Sequence, residues 1–271
     1  MLDKVDLVMW TKNSSRFLPL VLRRIEEVIP SEVIGKKIII DDHSVDDTVE
    51  IAKSLGWDVE ENQGNGVSDA FETALSLVSS ELFISVEHDV ILAKEWWKRI
   101  SRYMEKDNVA VAQGVRVATH PIIRKLDEYI IERRDESSRN LCLSIDNNIY
   151  RANVLRKFGI NVCDHARARD LLEKRGFKWI VDYSVISLHI RPKIQYFIYH
   201  EYMINKYKLS IAQLNKWREI LRNFRVFLLS PFRALHIALK KKCPHMLIVY
   251  PLDRWVILKA YLEWMPKAKS N

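Results

Sequence analysis

Cysteine is scarce in this sequence. The three cysteines, Cys142, Cys163 and Cys243, are odd in number and widely separated, and no two of them have metal-ligand spacing. Neither a disulfide framework nor a zinc site is therefore indicated. A protein of a reducing compartment fits this cysteine usage best.

Long apolar runs are also missing. No stretch reaches the roughly 18 to 20 uninterrupted apolar residues that span a bilayer. The first ten residues carry Asp3, Lys4 and Asp6 before a short apolar run, so they lack the basic flank and the long apolar core of a signal peptide. Internal repeats and low-complexity tracts are absent as well. We therefore expect a cytoplasmic protein.

Acidic residues are rare in one part of the chain only. Residues 191–271 contain 16 Lys and Arg but 4 Asp and Glu. Residues 1–190 contain 27 Lys and Arg and 31 Asp and Glu. The net charge of +8 therefore originates in the C-terminal segment. Such a segment attracts nucleic acid, anionic lipid or another polyanion, and charge alone does not choose among them. A solvated helical face is the alternative interpretation.

The first half of the chain alternates short apolar runs with amphipathic helical patterns. The patterns predict strands at residues 5–10, 37–40, 57–60 and 82–86, and helices at 17–28, 48–55 and 67–78. This alternation is typical of an α/β fold, in which helices cover both faces of a mostly parallel sheet. The carboxyl ends of its strands share one rim, where such folds bind ligands.

The second half is less regular. Strands are predicted at residues 109–117, 141–145, 178–181 and 184–189, and helices at 122–134 and 164–175. After Pro192 the pattern is helical and rich in aromatic and basic residues. We therefore expect two domains, an α/β domain over residues 1–190 and a helical extension over residues 191–271.

Two acidic clusters follow predicted strands at the expected rim. Asp41 and Asp42 are adjacent, and neighbouring acids are tolerated best where a ligand, a donor group or a cation compensates their charge. The later pair, Glu87 and Asp89, projects to the same side of an extended chain and offers oxygen ligands to Mg²⁺ or Mn²⁺. Asp46 and Asp47 have a simpler alternative role as N-caps of the following helix.

Several motifs resemble those of family 2 glycosyltransferases. The run 39–52, which includes Asp41 and Asp42, is similar to the family's nucleotide-binding signature. The segment 10–13 resembles its opening strand, residues 62–66 resemble the stretch ahead of its third helix, and Glu87-His88-Asp89 stands at the position of its D-x-D motif. Looser matches at residues 164–178 and 187–189 extend the resemblance to about residue 190.

The resemblance implies a GT-A fold, Rossmann-like in its parallel sheet, and an inverting transfer from a UDP- or GDP-sugar that depends on Mn²⁺ or Mg²⁺. It places Asp89 and His189 at the metal and Asp164 as the catalytic base, with Asp170 as the alternative. The residues expected to bind the nucleotide-sugar are Thr11, Asn13, Asp41, Asp42 and Glu87.

Arg116 and Arg151 could contact the diphosphate or the acceptor, with a solvated loop as the alternative, and Asp146 could line the acceptor side, but the sequence assigns none of them a role. Glu87 and Cys163 depart from the family pattern. A catalytically silent module that binds a nucleotide-sugar or a membrane on the same fold therefore stays open as the alternative function.

The C-terminal segment interleaves apolar and basic residues at 217–232 and 246–264. Basic amphipathic helices of this kind lie in a membrane interface, and a packed helical appendage is the alternative. Similar tails in the family imply a lipid-linked acceptor, a polyprenyl-phosphate or a glycolipid. Peripheral membrane contact at the cytoplasmic face is therefore expected, and nucleic-acid binding is not.

Overall fold

The computed structural model describes residues 4–135, 143–191, 193–194, 202 and 216–263. The chain forms two compact units. The first comprises Met1–Val117 and Arg134–Ile190, and the second comprises Ala118–Arg133 and Arg191–Asn271. Because an internal segment belongs to the same unit as the C-terminal residues, the second unit is discontinuous in sequence. The boundary at residue 190 between two separate domains stays a prediction.

The first half alternates strands and helices, which confirms the predicted pattern. Its elements are β1 (Val5–Thr11), α1 (Leu18–Val28), β2 (Ile34–Asp41), α2 (Thr48–Ser54), β3 (Asp58–Glu61), α3 (Gly66–Leu77) and β4 (Leu82–Ser85). Pro19 stands in the first turn of α1, where a missing backbone N–H costs no helical hydrogen bond.

The elements between residues 90 and 189 range from 2 to 15 residues in length, and the longest, a helix, belongs mainly to the second unit. They are β5 (Val90–Ile91), α4 (Trp96–Ile100), β6 (Val109–Ala118), α5 (Pro121–Asp135), β7 (Asn148–Arg151), α6 (Ala152–Phe158), α7 (His165–Glu173) and β8 (Lys178–His189). The strands predicted at 178–181 and 184–189 are one continuous strand.

The strand predicted at residues 141–145 is wrong. Residues 141 and 142 lie outside the described residues, and residues 143–145 are irregular. The strand begins instead at Asn148. The reason is a turn in which Asn147 has a φ of 65° and the Ser144 hydroxyl donates to the Asp146 carbonyl oxygen at 2.8 Å. These polar contacts replace the extended pairing that the apolar residues suggested.

One sheet organises the first unit, in the strand order β3-β2-β1-β4-β7-β6-β8-β5. Strand β1 pairs in parallel with β2 and β4, and β2 pairs in parallel with β3. Strand β7 pairs antiparallel with β4 and β6, and β5 pairs antiparallel with β8. The parallel half brings the carboxyl ends of β1, β2 and β4 to one rim, as expected.

Strand β1 is buried along its whole length because the sheet has a core on each face. Leu7 and Met9 point into one core cluster, whereas Val8 and Trp10 point into the other. Successive side chains of a strand alternate between faces, so a strand covered on both sides is largely apolar, and in β1 only Asp6 and Thr11 depart from this.

The second unit is helical. With α5 it contains α8 (Lys216–Leu228), α9 (Ser230–Lys240) and α10 (Met246–Leu262). A separate buried cluster includes Leu126 and Tyr129 of α5, Ile237 of α9 and Met246 of α10. Among the described residues, no helix has both the length and the apolar character needed to cross a membrane.

Asp6 is a buried acid at the amino-terminal part of β1. Its carboxylate accepts hydrogen bonds from the backbone N–H groups of Lys36 at 2.9 Å, Ser79 at 2.7 Å and Ser80 at 3.0 Å. Burial alone would raise the pKa of Asp6, but these hydrogen bonds outweigh it and lower the pKa below 3.8. The carboxylate therefore joins β1 to the amino-terminal part of β2 and to the segment that precedes β4.

We expect Asp6→Asn to lower the free energy of unfolding at pH 7 by about 1–3 kcal/mol, since backbone donors lose a charged acceptor. The pKa of Asp6 is lower in the folded protein than in the unfolded chain. Its contribution to stability is therefore complete above pH 3.8 and is lost as the pH falls through its folded pKa. Urea unfolding at pH 7 and pH 3 should therefore show a smaller difference between the two proteins at pH 3. An equal difference at both pH values would contradict this role.

Candidate functional site

The ends of β1 and β2 lie side by side, with Thr11 opposite Asp41. The Thr11 hydroxyl donates to Asp41 Oδ1 at 2.9 Å, and Ser44 donates through its backbone N–H to Oδ2 at 2.8 Å and through its hydroxyl to Oδ1 at 2.6 Å. Asp41 is buried. Its carboxylate is thus fixed at the rim by donors of the chain itself.

Asp42 is held in a similar way. Its Oδ1 accepts from the Asn62 amide at 2.7 Å and the Gly66 N–H at 2.9 Å, and its Oδ2 forms an ion pair with Lys12 at 2.8 Å. Burial would raise the pKa of Asp42, but these partners outweigh it and the pKa lies below its usual value. A carboxylate has about four acceptor positions, so Asp42 keeps roughly one on Oδ2.

Asn13 connects the loops that follow β1 and β2. Its side-chain oxygen accepts from the Val45 N–H at 2.9 Å, and its own N–H donates to the Ser44 hydroxyl at 2.8 Å. Its φ of 49° lies in the left-handed region, which asparagine tolerates better than most residues. The structure therefore brings Thr11, Asn13, Asp41 and Asp42 together.

Asp46 contributes to the local structure of this rim. Its carboxylate accepts from the Ser15 hydroxyl at 2.7 Å and from the Thr48 N–H at 3.1 Å. Burial opposes its charge, but the hydrogen bonds from Thr48 and Ser15 lower the pKa of Asp46 to about 2. Asp47, at the N-cap position of α2, makes no side-chain cap bond. Neither acid therefore acts as the N-cap; Asp46, one residue before that position, instead accepts the N–H of Thr48, the first residue of α2.

A second group of ligand-bearing side chains lies beyond β4. Three side chains, those of Glu87, Asp89 and His189, each offer one potential ligand atom. These three atoms lie within 4.8 Å of one another. The pairing of Val90 with His189 in the β5–β8 ladder brings the two segments together, and His189 Nε2 lies 3.0 Å from Asp89 Oδ2. Burial would raise the pKa of Asp89, but His189 outweighs it and the pKa is well below its usual value.

Arg116 and Asp146 complete this group, although the sequence assigned them no role. Arg116 Nη1 lies 3.0 Å from Glu87 Oε2 and also forms an ion pair with Asp146 Oδ2. Asp146 is fully buried, and burial raises its pKa to about 7 although Arg116 opposes the shift. The signal that could have found it is a run of three polar residues, 146–148, between apolar neighbours.

The sequence from residue 6 to residue 169 matches the family model described as glycosyl transferase family 2. The chain belongs to this family. A search of the curated proteins finds no match. The family assignment makes the chain a glycosyltransferase.

Solved structures share the fold at low sequence identity. A mannosyltransferase from Pyrobaculum calidifontis, in complex with GDP-Man and Mn²⁺, has a TM-score of 0.59 and 13% identity, over 96% of this chain and 73% of that chain. S. aureus TarS, in complex with UDP-GlcNAc, has a TM-score of 0.51 and 15% identity, over 95% of this chain and 79% of that chain. Glucosyl-3-phosphoglycerate synthase from Mycobacterium tuberculosis, in complex with Mn²⁺ and UDP-Glc, has a TM-score of 0.56 and 13% identity, over 77% of this chain and 78% of that chain. The expected GT-A fold is confirmed.

Asp164, the expected base of this family 2 glycosyltransferase, is the N-cap of α7. Its carboxylate accepts from the Arg167 N–H at 3.3 Å, and no described residue donates to its Oδ2. Burial raises the pKa of the neighbouring Cys163 thiol to about 12, and Glu72 and Glu87 add to this shift. The start of α7 is thus within electrostatic reach of Glu87, but Asp164 makes no hydrogen bond with the other predicted site residues.

The residues around Asp89 suit a divalent cation. Asp89 Oδ1 is buried and has no hydrogen-bond partner among the described residues, which is costly for a carboxylate unless a cation is bound. Two carboxylates and one imidazole are ligands that Mn²⁺ and Mg²⁺ sites use, with the remaining positions left to substrate oxygens and water. Glu87, expected at the nucleotide-sugar, stands in this ligand group.

Proposed function

We propose that this family 2 glycosyltransferase transfers a sugar from a UDP- or GDP-sugar to an acceptor by an inverting single displacement that requires Mn²⁺ or Mg²⁺. The observation that carries the proposal is the convergence of Glu87, Asp89 and His189 beside the rim that holds Asp41 and Asp42. The complexes of structural neighbours with GDP-Man, UDP-Glc, UDP-GlcNAc and Mn²⁺ support the choice of donor and metal.

In this proposal the nucleotide lies against Thr11, Asn13, Asp41 and Asp42. The remaining acceptor position on Asp42 Oδ2 suits an N–H group of a base or a hydroxyl of a ribose. Lys12, which is largely exposed, would then share Asp42 with the ligand.

Glu87, Asp89 and His189 would hold the cation next to the diphosphate. A bound divalent cation neutralises the negative charge that develops on the leaving nucleoside diphosphate. Glu87 and Asp89 are partly buried and His189 is buried, and this reduced contact with bulk water strengthens the interaction of their ligand atoms with a nearby charge.

Asp164 would accept the proton of an acceptor hydroxyl through its Oδ2, while its Oδ1 keeps the cap on α7. The alternative base, Asp170, is exposed and paired with Lys174 at 2.6 Å, so it is less available. An acceptor that is itself a phosphate is already anionic and needs no base.

The acceptor is lipid-linked in our proposal, a polyprenyl-phosphate or a glycolipid, and the second unit contacts the membrane peripherally. Helix α8 exposes large apolar side chains at helical spacing, which we name the α8 stripe: Trp217, Leu221, Phe224 and Leu228. Helix α9 exposes Phe232 and Leu239. Basic residues accompany both helices, as expected for helices that lie in an anionic interface.

Calorimetric titration of UDP, GDP and their sugar conjugates tests the proposal, with and without Mn²⁺. We expect one nucleotide to bind in the micromolar to millimolar range and to lose most of its affinity when Mn²⁺ is omitted. Release of the nucleoside diphosphate together with attachment of the sugar to an added acceptor would separate an enzyme from a silent binding module. If no nucleotide binds under either condition, the proposed function is wrong.

A further inference from the structure

Glu87 is an unusual ligand candidate because its side chain has one more rotatable bond than that of Asp89. A longer side chain loses more conformational freedom when it is fixed, so a glutamate that binds a cation benefits from a second contact. We propose that Arg116 and Asp146 form a positioning pair that fixes Glu87 for cation binding. This inference rests on the proposed function, since it assumes the cation site of Glu87, Asp89 and His189.

The contacts of Arg116 support a positioning role. Its Nη1 lies 3.0 Å from Glu87 Oε2 and pairs at the same time with Asp146 Oδ2. No described residue donates to Glu87 Oε1, so one oxygen is held and the other is available to a cation. Burial lowers the pKa of Arg116, but Asp146 and Glu87 outweigh it and the pKa is raised, so the guanidinium stays charged.

Asp146 is in turn fixed by its backbone. The neighbouring Asn147 donates its N–H to the Ser85 carbonyl at 2.8 Å, accepts at its carbonyl from the Gly114 N–H at 3.1 Å, and accepts at its side-chain oxygen from the Ser187 hydroxyl at 3.0 Å. Ser85 and Ser187 each stand two residues before a proposed ligand. One turn therefore connects both strand ends that carry the ligands.

Gly114 permits this close approach. A Cβ atom at Gly114 would stand 2.8 Å from the Val185 carbonyl oxygen and 3.0 Å from Asn147 Nδ2. The turn, β6 and β8 thus pack too tightly for a side chain at this position. Since β6 also carries Arg116, the guanidinium and its partner Asp146 are placed by the same packed segments.

A simple charge argument predicts the opposite effect of Arg116. A guanidinium beside a cation site repels the cation, so its removal should strengthen Mn²⁺ binding. A positioning residue has the reverse sign, because the loss of a partner that orients a metal ligand typically weakens metal affinity by about 10- to 100-fold. The sign of the effect on Mn²⁺ affinity therefore distinguishes the two roles.

The test is Mn²⁺ binding to the full chain without nucleotide, measured from the electron paramagnetic resonance signal of free Mn²⁺. We expect Arg116→Gln to raise the Kd for Mn²⁺ by about tenfold. In a Glu87→Asp background, where the shorter side chain does not reach the guanidinium, we expect Arg116→Gln to have no weakening effect. The matched control is Arg102→Gln, which removes the same charge from an exposed site and should leave the Kd unchanged.

Arg116→Gln leaves Asp146 buried without its cationic partner, so loss of folding has to be separated from loss of Mn²⁺ binding. The double variant Arg116→Gln with Asp146→Asn removes both charges, and it should show the same tenfold weakening with an unchanged far-UV circular dichroism spectrum. Equal or tighter Mn²⁺ binding by the folded variants would overturn the positioning pair, as would equal weakening in the Glu87→Asp background. If the wild type binds no Mn²⁺, the proposed cation site itself fails and the pair fails with it.

Discussion

Asp89→Asn is expected to lower kcat/KM for sugar transfer by about a thousandfold, the upper range for the loss of one charge-stabilising group. Asparagine keeps the volume of the side chain and a polar contact to His189, but it removes the negative charge at the buried Oδ1 that has no partner among the described residues. The Mn²⁺-dependent part of nucleotide binding should disappear in calorimetric titration, while metal-independent binding through Asp41 and Asp42 persists.

Asp107→Asn is the matched control for this substitution, because Asp107 is exposed and lies in the same unit. Its kcat/KM and its Mn²⁺-dependent binding should equal those of the wild type. An Asp89→Asn protein that keeps metal-dependent binding and turns over within a few-fold of the wild type would show that the cation is held elsewhere.

Replacement of Trp217 and Phe232 by serine is expected to weaken binding to anionic vesicles by about a hundredfold. These side chains are 73% and 74% exposed, so their removal should cost little folding stability. Transfer of a large apolar side chain out of water contributes about 1.5 kcal/mol or more, and about 1.4 kcal/mol corresponds to a factor of ten in affinity. Flotation of the protein with phosphatidylglycerol-containing vesicles measures the effect.

Leu20→Ser is the control for the vesicle experiment, since Leu20 is 53% exposed but belongs to the first unit. Vesicles of phosphatidylcholine alone should bind the wild type more weakly, because the basic residues of α8 and α9 then have no anionic lipid to attract. A wild type that does not float with anionic vesicles, or a serine variant that floats as well as the wild type, would refute membrane contact through these helices.

The parallel half of the sheet was predictable because its signals are local. Each apolar strand is followed within about ten residues by an amphipathic helix, and Asp41 and Asp42 directly follow one of these strands. What the sequence did not show is that Lys12, Ser44 and Asn62 compensate these two acids. Such donors are common residues whose partners become evident only when the loops are placed.

The antiparallel half was harder to predict because its contacts are distant in sequence. Arg116 pairs with Glu87, 29 residues away in sequence, and with Asp146, 30 residues away. In the sequence alone, Arg116 and Asp146 look like ordinary charged residues. The apolar residues near 143 suggested a strand, but polar contacts of Ser144 with Gln113 of β6 and of Asn147 with Ser85 of β4 turn the chain there. A pattern of neighbouring residues contains no information on these pairings.

The hydrogen bond between Asp89 and His189 joins residues separated by 100 positions, whereas Thr11 and Asp41 are separated by 30. The order of synthesis therefore determines which of these two contacts can form first. The loops around Thr11 and Asp41 can close as soon as β2 has emerged, and the cost in chain entropy of closing such a short loop is modest. The proposed cation site requires His189 at the end of β8, so a partly synthesised chain can form the contacts proposed for the nucleotide well before it has the full set of proposed metal ligands.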